Sequence, residues 1–193
     1  VAGLRRRTAA AGIDPKEIHV IVPDDKDWTW VLERPCPECG FDASSIDARV
    51  VASAIRDDAA AWAALHDAGR IAPGRPRPDR WSSLEYAAHV RDVYRIYDLR
   101  LALMVAEDDP LFANWDQDAT AVAERYDQQD PDVVIADLVA AGTALAAAFD
   151  AVVDWARPGR RSDGASFTID TFSRYLLHDP VHHRWDVERG GAD

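Results

Sequence analysis

Helical spacing of apolar residues dominates the chain from residue 44 onward and is missing before it. Residues 44–65 carry apolar positions at helical intervals, with Ser44 three residues ahead of Asp47 as a box-like start and Gly69 as a stop. Residues 70–80, RIAPGRPRPDR, hold three prolines and a glycine and read as a loop. The next helix is announced by WSSLEYAAHV at 81–90: Ser82 can cap, Glu85 can reach back to it, and Trp81 can staple onto Tyr86. Its apolar stripe runs Tyr86, Val90, Val93, Tyr97, Leu101, Met104 and stops before Asp108-Asp109-Pro110. A short helix is expected at 119–126. Asp130 and Pro131 then open a helix reaching about Val153. Residues 157–165 are expected as a loop, and a last helix runs from near Thr168 to just before Gly190-Gly191.

Four long helices joined by unequal loops predict an all-α fold, an antiparallel or crossover four-helix bundle over residues 41–190. Residues 1–40 read as an irregular N-terminal extension, with one short strand at 17–22.

Composition narrows the function classes. At 193 residues, 48% hydrophobic and with seven tryptophans, the chain can fill a core without staples. A net charge of −12 repels polyanions, so neither a nucleic acid nor an anionic membrane is an expected partner. The best apolar run, 138–149, is interrupted by Gly142 and Thr143 and bounded by Asp137 and Asp150, so no membrane span is expected. Two cysteines in this length fit a reducing cytoplasm.

Candidate chemistry concentrates in LLHDPVHHRWDV at 176–187. His178 and His182 stand four residues apart, about 40° around a helix, so both rings can reach one metal ion. His183 lies about 140° from His178 and cannot easily share that ion; it faces outward or supports a ligand. Extending the helical register puts Thr171, Tyr175, His178, His182 and Trp185 on one seam facing the bundle interior. Pro180 removes a backbone bond and can kink the helix beside the ligands. His89, beside the apolar stripe of the 81–107 helix, is the third inward imidazole. Asp92 and Asp186 can orient the rings, and Asp179 adjoins His178. Arg174, one turn before His178, can hold an anionic group; Tyr175 and Trp185 can wall the pocket; Trp115 and Asp116 can form its mouth. Each has a plainer alternative, namely a solvated face for the acids, a surface ion pair for Arg174 and core packing for Trp185.

The stretches RWSSLEYAAHVRDVYRIYDLRL, NWDQDA and FSRYLLHDPVHHRWDV resemble the DinB-like superfamily of small metal-binding four-helix bundles, which includes mycothiol-dependent maleylpyruvate isomerases and bacillithiol transferases. The resemblance covers roughly residues 44–188 and implies His89, His178 and His182 as metal ligands. Three imidazoles with an open position suit Zn²⁺, with Ni²⁺ or Fe²⁺ also compatible. The resemblance further implies that a low-molecular-weight thiol fills that position and attacks a small electrophile, by S-transfer or isomerisation. Only Lys16 and Lys26 among the 22 basic residues are lysine, a mark of GC-rich genomes that fits mycothiol.

PCPECG at 35–40 looks like half a zinc knuckle, for which His19, His66 or a second chain could complete the ligands. A plain structural turn and a redox pair at Cys36 and Cys39 are the other readings. A phosphohydrolase built on His178-Asp179 would need a further downstream aspartate, and a di-iron carboxylate bundle would need paired Glu-x-x-His motifs that do not occur. A metal-stabilised bundle that binds a small molecule or a partner without catalysis stays open, as does a homodimer.

Overall fold

The computed structural model of the chain describes Ile21 and residues 27–189; His19 and the rest of the strand expected at 17–22 lie outside them. Among the described residues five α-helices form: α1 (Val51–Asp67), α2 (Ser83–Ala106), α3 (Gln117–Ala123), α4 (Pro131–Asp150) and α5 (Ile169–Arg189). The four long ones make the bundle. α4 lies along both α1 and α2, and α5 closes the bundle against α2 and α1.

Local chemistry explains where the helices start. The Ser82 hydroxyl accepts the Glu85 N–H at 3.2 Å, and the Glu85 carboxylate accepts the Ser82 N–H at 2.8 Å. Arg75, from the proline-rich loop, clamps the same carboxylate with Nε at 3.0 Å. Trp81 meets Tyr86 edge-on at 5.6 Å, the staple that fixes the chain's entry angle. Asp130 caps α4 by accepting the Asp132 N–H, with Pro131 at the first helical position. Thr168 and Thr171 exchange side-chain-to-backbone hydrogen bonds at the start of α5.

Three expectations change. Residues 43–50 form two 3₁₀ turns ahead of α1, because Asp42 and Asp47 accept the N–H groups two residues on and hold tight local turns. The loop expected at 157–165 is largely a hairpin: β2 (Pro158–Arg161) pairs antiparallel with β3 (Ser166–Thr168), and β1 (Leu111–Phe112) joins β2 in parallel. Strands this short show no two-residue period. Gly164, at φ +103°, turns the chain between β2 and β3. Lastly, α4 as a whole is more apolar than the run at 138–149: by length and composition alone its 20 residues would suffice to cross a membrane, a test that the core helix of a bundle also passes. Here it buries Val134, Ile135, Leu138, Leu145, Ala146 and Phe149 against its neighbours.

The N-terminal segment from residue 27 lies on the bundle: the 3₁₀ turns Trp28–Leu32 and Ala43–Ser45 both pack on α5. Val31 and Ala43 are fully buried there. On the opposite side a polar tie joins three helices. The Asp58 carboxylate of α1 accepts from the Tyr94 hydroxyl of α2 at 2.8 Å and from Arg184 Nε of α5 at 2.9 Å. Asp58 is only 4% exposed, so its charge depends on these two partners. Replacing Asp58 with Ala should cost about 2 kcal/mol in urea unfolding, below the roughly 3–5 kcal/mol of a fully buried pair, because Arg184 can recover water.

Candidate metal centres

α5 remains helical through Pro180. The ring supplies no N–H to the preceding turn, yet the helix continues on both sides, so residues 178–183 keep their rotation of about 100° per residue. Two i,i+4 pairs are superimposed in that turn: His178 with His182, and Asp179 with His183. They point about 100° apart and meet different neighbours.

The first pair meets the N-terminal segment. Cys36, Cys39, His178 and His182 bring one donor atom each to within 4.8 Å of one another. The Cys36 sulfur is 3.7 Å from Nδ1 of His182. A tetrahedral zinc with ordinary Zn–S and Zn–N lengths sets that edge at roughly 3.6 Å. Cys36, His178 and His182 are all buried, and Nε2 of His178 is buried without a hydrogen-bond partner among the described residues. Burial, helped by the neighbouring His182 ring, lowers the His178 pKa to about 4, so the ring is neutral at neutral pH, as a ligand must be. Burial likewise pushes the Cys39 thiol up to about 11, with Cys36 adding to the shift.

The second pair meets α2. His89, Asp179 and His183 also place their donor atoms within 4.8 Å of one another. Nε2 of His89 is 3.2 Å and Nε2 of His183 is 3.8 Å from the same Asp179 oxygen. Burial opposes ionisation of Asp179, but the facing His89 and His183 rings override it and hold the carboxyl down to about 2. His89 is fully buried, with Nδ1 unpartnered among the described residues, whereas the Asp179 side chain keeps 33% of its exposure. Aromatic rings wall this cluster: Trp115 stacks flat on His89 at 5.3 Å, Trp81 tilts onto it at 5.3 Å, and Tyr86 lies 4.9 Å from His183. Two imidazoles and one carboxylate are the donor set of catalytic zinc sites and of mononuclear iron sites, and three ligands leave coordination positions open.

The trio expected from the sequence is therefore divided. His178 and His182 join the two cysteines, and His89 joins Asp179 and His183. The cause is rotation: one residue along α5 turns the donor pair from the N-terminal segment toward α2. His183, expected outside or in support, stands among the donors. Asp179, offered beside His178 as an acid that could orient a ring or else face solvent, does too; its spacing of four from His183 was the available signal.

Asp186 lies 3.5 Å from Nδ1 of His183 and 3.8 Å from Nε2 of His182, and Arg80 anchors it at 3.0 Å. Asp92 serves another network, pairing with Arg91 and accepting from the Tyr126 hydroxyl at 2.6 Å. Arg174 pairs with Asp170 along α5. Tyr175 accepts from Arg161 at 3.2 Å, and Trp185 packs 5.7 Å from the His182 ring. His66, offered as a ligand for the cysteines, pairs with Asp132 at 2.9 Å instead. Trp115 and Asp116 line a cleft of about 830 Å³ with Trp28, Arg161 and Tyr175; none of the candidate donors lines it, and Trp115 and Trp28 connect it to His89 and His178 respectively.

No protein-family profile and no curated protein sequence matches the chain. Among solved structures, it superposes on YfiT from Bacillus subtilis with a TM-score of 0.55 at 15% identity, over 94% of this chain and 89% of that one. The fold is that of YfiT. That protein is described as a probable metal-dependent hydrolase with an unusual four-helix bundle topology. The likeness shows the four-helix bundle fold expected from the sequence.

His178 gives the chelated protein a signed pH dependence. The unfolded chain takes up a proton near pH 6.5 that the folded ring refuses until about pH 4. Stability from the neutral ring is full above pH 6.5 and is lost as pH falls toward 4. His178→Gln should flatten that part of a plot of Tm against pH in the presence of chelator.

Proposed function

We propose that this protein is a metal-dependent enzyme in which His89, Asp179 and His183 hold one divalent ion and a low-molecular-weight thiol is activated for S-transfer to, or isomerisation of, a small electrophile. The observation that carries the reading is the convergence of three donors, and no fourth among the described residues, beside an aromatic-walled, partly exposed position. Zn²⁺ is the ion the donor set favours, with Fe²⁺ and Ni²⁺ as alternatives. A bound ion of this kind supplies Lewis acidity that lowers the pKa of a thiol or water at the open position.

The chain's own residues supply orientation and binding. Asp186 sits at Nδ1 of His183 and turns Nε2 toward Asp179. Trp81, Tyr86 and Trp115 exclude water from one side of the cluster. The adjacent cleft is lined by Asp27, Trp28, Asn114, Trp115, Asp116 and Asp118, carboxylates and an amide interleaved with indoles, with its cation Arg161 paired to Asp163. Such a surface accepts hydrogen bonds from hydroxyls and stacks on the apolar faces of sugar rings. That favours a neutral, hydroxyl-rich thiol such as mycothiol over an anionic one. Thiols survive in a reducing compartment, so the cytoplasm is the proposed location.

The description of YfiT favours a second reading of the same position, with water as the nucleophile and hydrolysis as the outcome. Zinc-reconstituted protein screened with mycothiol and electrophiles, and in parallel with ester and amide substrates, separates the two. Thiol conjugation that falls at least about a hundredfold in His89→Ala and Asp179→Asn, with far-ultraviolet circular dichroism unchanged, supports the proposal. Metal-dependent hydrolysis without conjugation replaces it with the second reading. Metal binding with neither activity would make the bundle a binding module.

A further inference from the structure

We infer that Cys36, Cys39, His178 and His182 form a closed structural zinc site, separate from the ion held by His89, Asp179 and His183. The inference goes beyond the catalytic reading and does not depend on it.

Four independent features of the molecule converge on this assignment. The first is the donor set. Two sulfurs and two imidazoles within 4.8 Å of one another match the tetrahedral S₂N₂ shell that selects zinc, and no corner is left for substrate. The second is the turn that presents the thiols. The Cys36 carbonyl accepts the Gly40 N–H at 3.0 Å, and the Cys36 N–H donates to the Phe41 carbonyl at 2.8 Å. Gly40 takes φ +75°, the left-handed conformation that lets the chain reverse directly after the second cysteine. The third is burial: Trp28 and Phe41 cover the His178 ring at 5.4 and 5.6 Å, and its Nε2 is buried without a hydrogen-bond partner among the described residues. The fourth is the support behind His182. Its Nδ1 faces the Cys36 sulfur, while its Nε2 is met by Glu38 at 3.6 Å and Asp186 at 3.8 Å, the carboxylate backing that fixes a ligating imidazole.

A dithiol acting in redox exchange needs neither of the two imidazoles, and here both are turned to the cysteines. Binding Zn²⁺ releases the two thiol protons to solvent and leaves a unit of no net charge, which suits a buried position. The site joins residues 146 positions apart and fastens the N-terminal segment to α5, one turn of which also carries Asp179 and His183.

The test uses the full chain reconstituted with Zn²⁺ and, separately, Co²⁺. Zinc analysis should give two ions per chain for wild type, and one each for His89→Ala and for the double variant Cys36→Ser/Cys39→Ser. The cobalt protein should show thiolate-to-metal charge transfer in the near ultraviolet in wild type and His89→Ala, and none in the double cysteine variant. Should that variant fail to fold, the wild-type protein still decides: zinc must protect both cysteines from iodoacetamide, and chelation must expose them. Cobalt loading without charge transfer, or alkylation at the same rate with and without zinc, overturns the inference. A wild-type protein that binds one ion only, with the charge-transfer band intact and its stoichiometry unchanged in His89→Ala, would instead overturn the catalytic assignment alone.

Discussion

The constraint on which this architecture depends is the partial burial of residues 178–183 of α5, four of whose six side chains can bind a cation. His178, Asp179, His182 and His183 lie within six residues, packed between α2 and the N-terminal segment rather than in water. Donors held in such surroundings lose free energy unless something positive or protonated satisfies them, and polar groups left alone there cost on the order of 1–3 kcal/mol each. The surroundings answer by rotation. Neighbouring residues of a helix point about 100° apart, so the turn sends one pair to the cysteines and the other to His89. Asp186 stands between the two groups, close to the second nitrogen of one ring in each, and is itself held by Arg80. Two donor clusters therefore share one buttress.

This sharing connects the bundle's irregular segment to its most ordered element. The segment from Trp28 to Ser45 has little regular structure of its own, and its order comes from what it covers: the imidazole face of α5, Val31 and Ala43 buried against it, and the CxxC turn. Across the helix, the Asp58–Arg184–Tyr94 tie sets the rotation of α5 relative to α1 and α2 from the other side. A helix held on two faces cannot turn by a single residue, and such a turn would exchange one donor pair for the other.

Much of this was legible in the sequence. The start of α2 could be read from Ser82, Glu85 and Trp81, because capping and stapling are local effects with fixed spacings. α4 could be read from Asp-Pro and its apolar density, and the bundle followed from helix number and loop length. The β2–β3 hairpin could not, since strands of four and three residues have no period to detect and β1 pairs across nearly fifty positions. At the candidate site, His89 and the importance of the 178–183 turn were legible, but the grouping was not. A periodic pattern says which residues share a face; it does not say which remote segment will cover that face. The cysteines fell outside the helical pattern, so the face carrying His178 and His182 was assigned to the bundle interior and Asp179 was not read as a ligand.

The difference between the two donor sets bears on the proposed chemistry. In the inferred zinc site, Cys36, Cys39, His178 and His182 would complete a tetrahedron and two thiolates would cancel a divalent charge; such a site can hold structure but has no acidity to lend. At His89, Asp179 and His183, three donors cancel only one unit of charge and leave space. A carboxylate in place of a third imidazole weakens the remaining pull on a fourth ligand. Thiols, with pKa values of about 8.5, need to be shifted by only one or two units to ionise at neutral pH, whereas water, near 15.7, needs roughly eight or nine. The proposed thiol chemistry asks the smaller shift of the ion, and Asp179 is the donor through which the proposed site would differ in charge from one of three imidazoles.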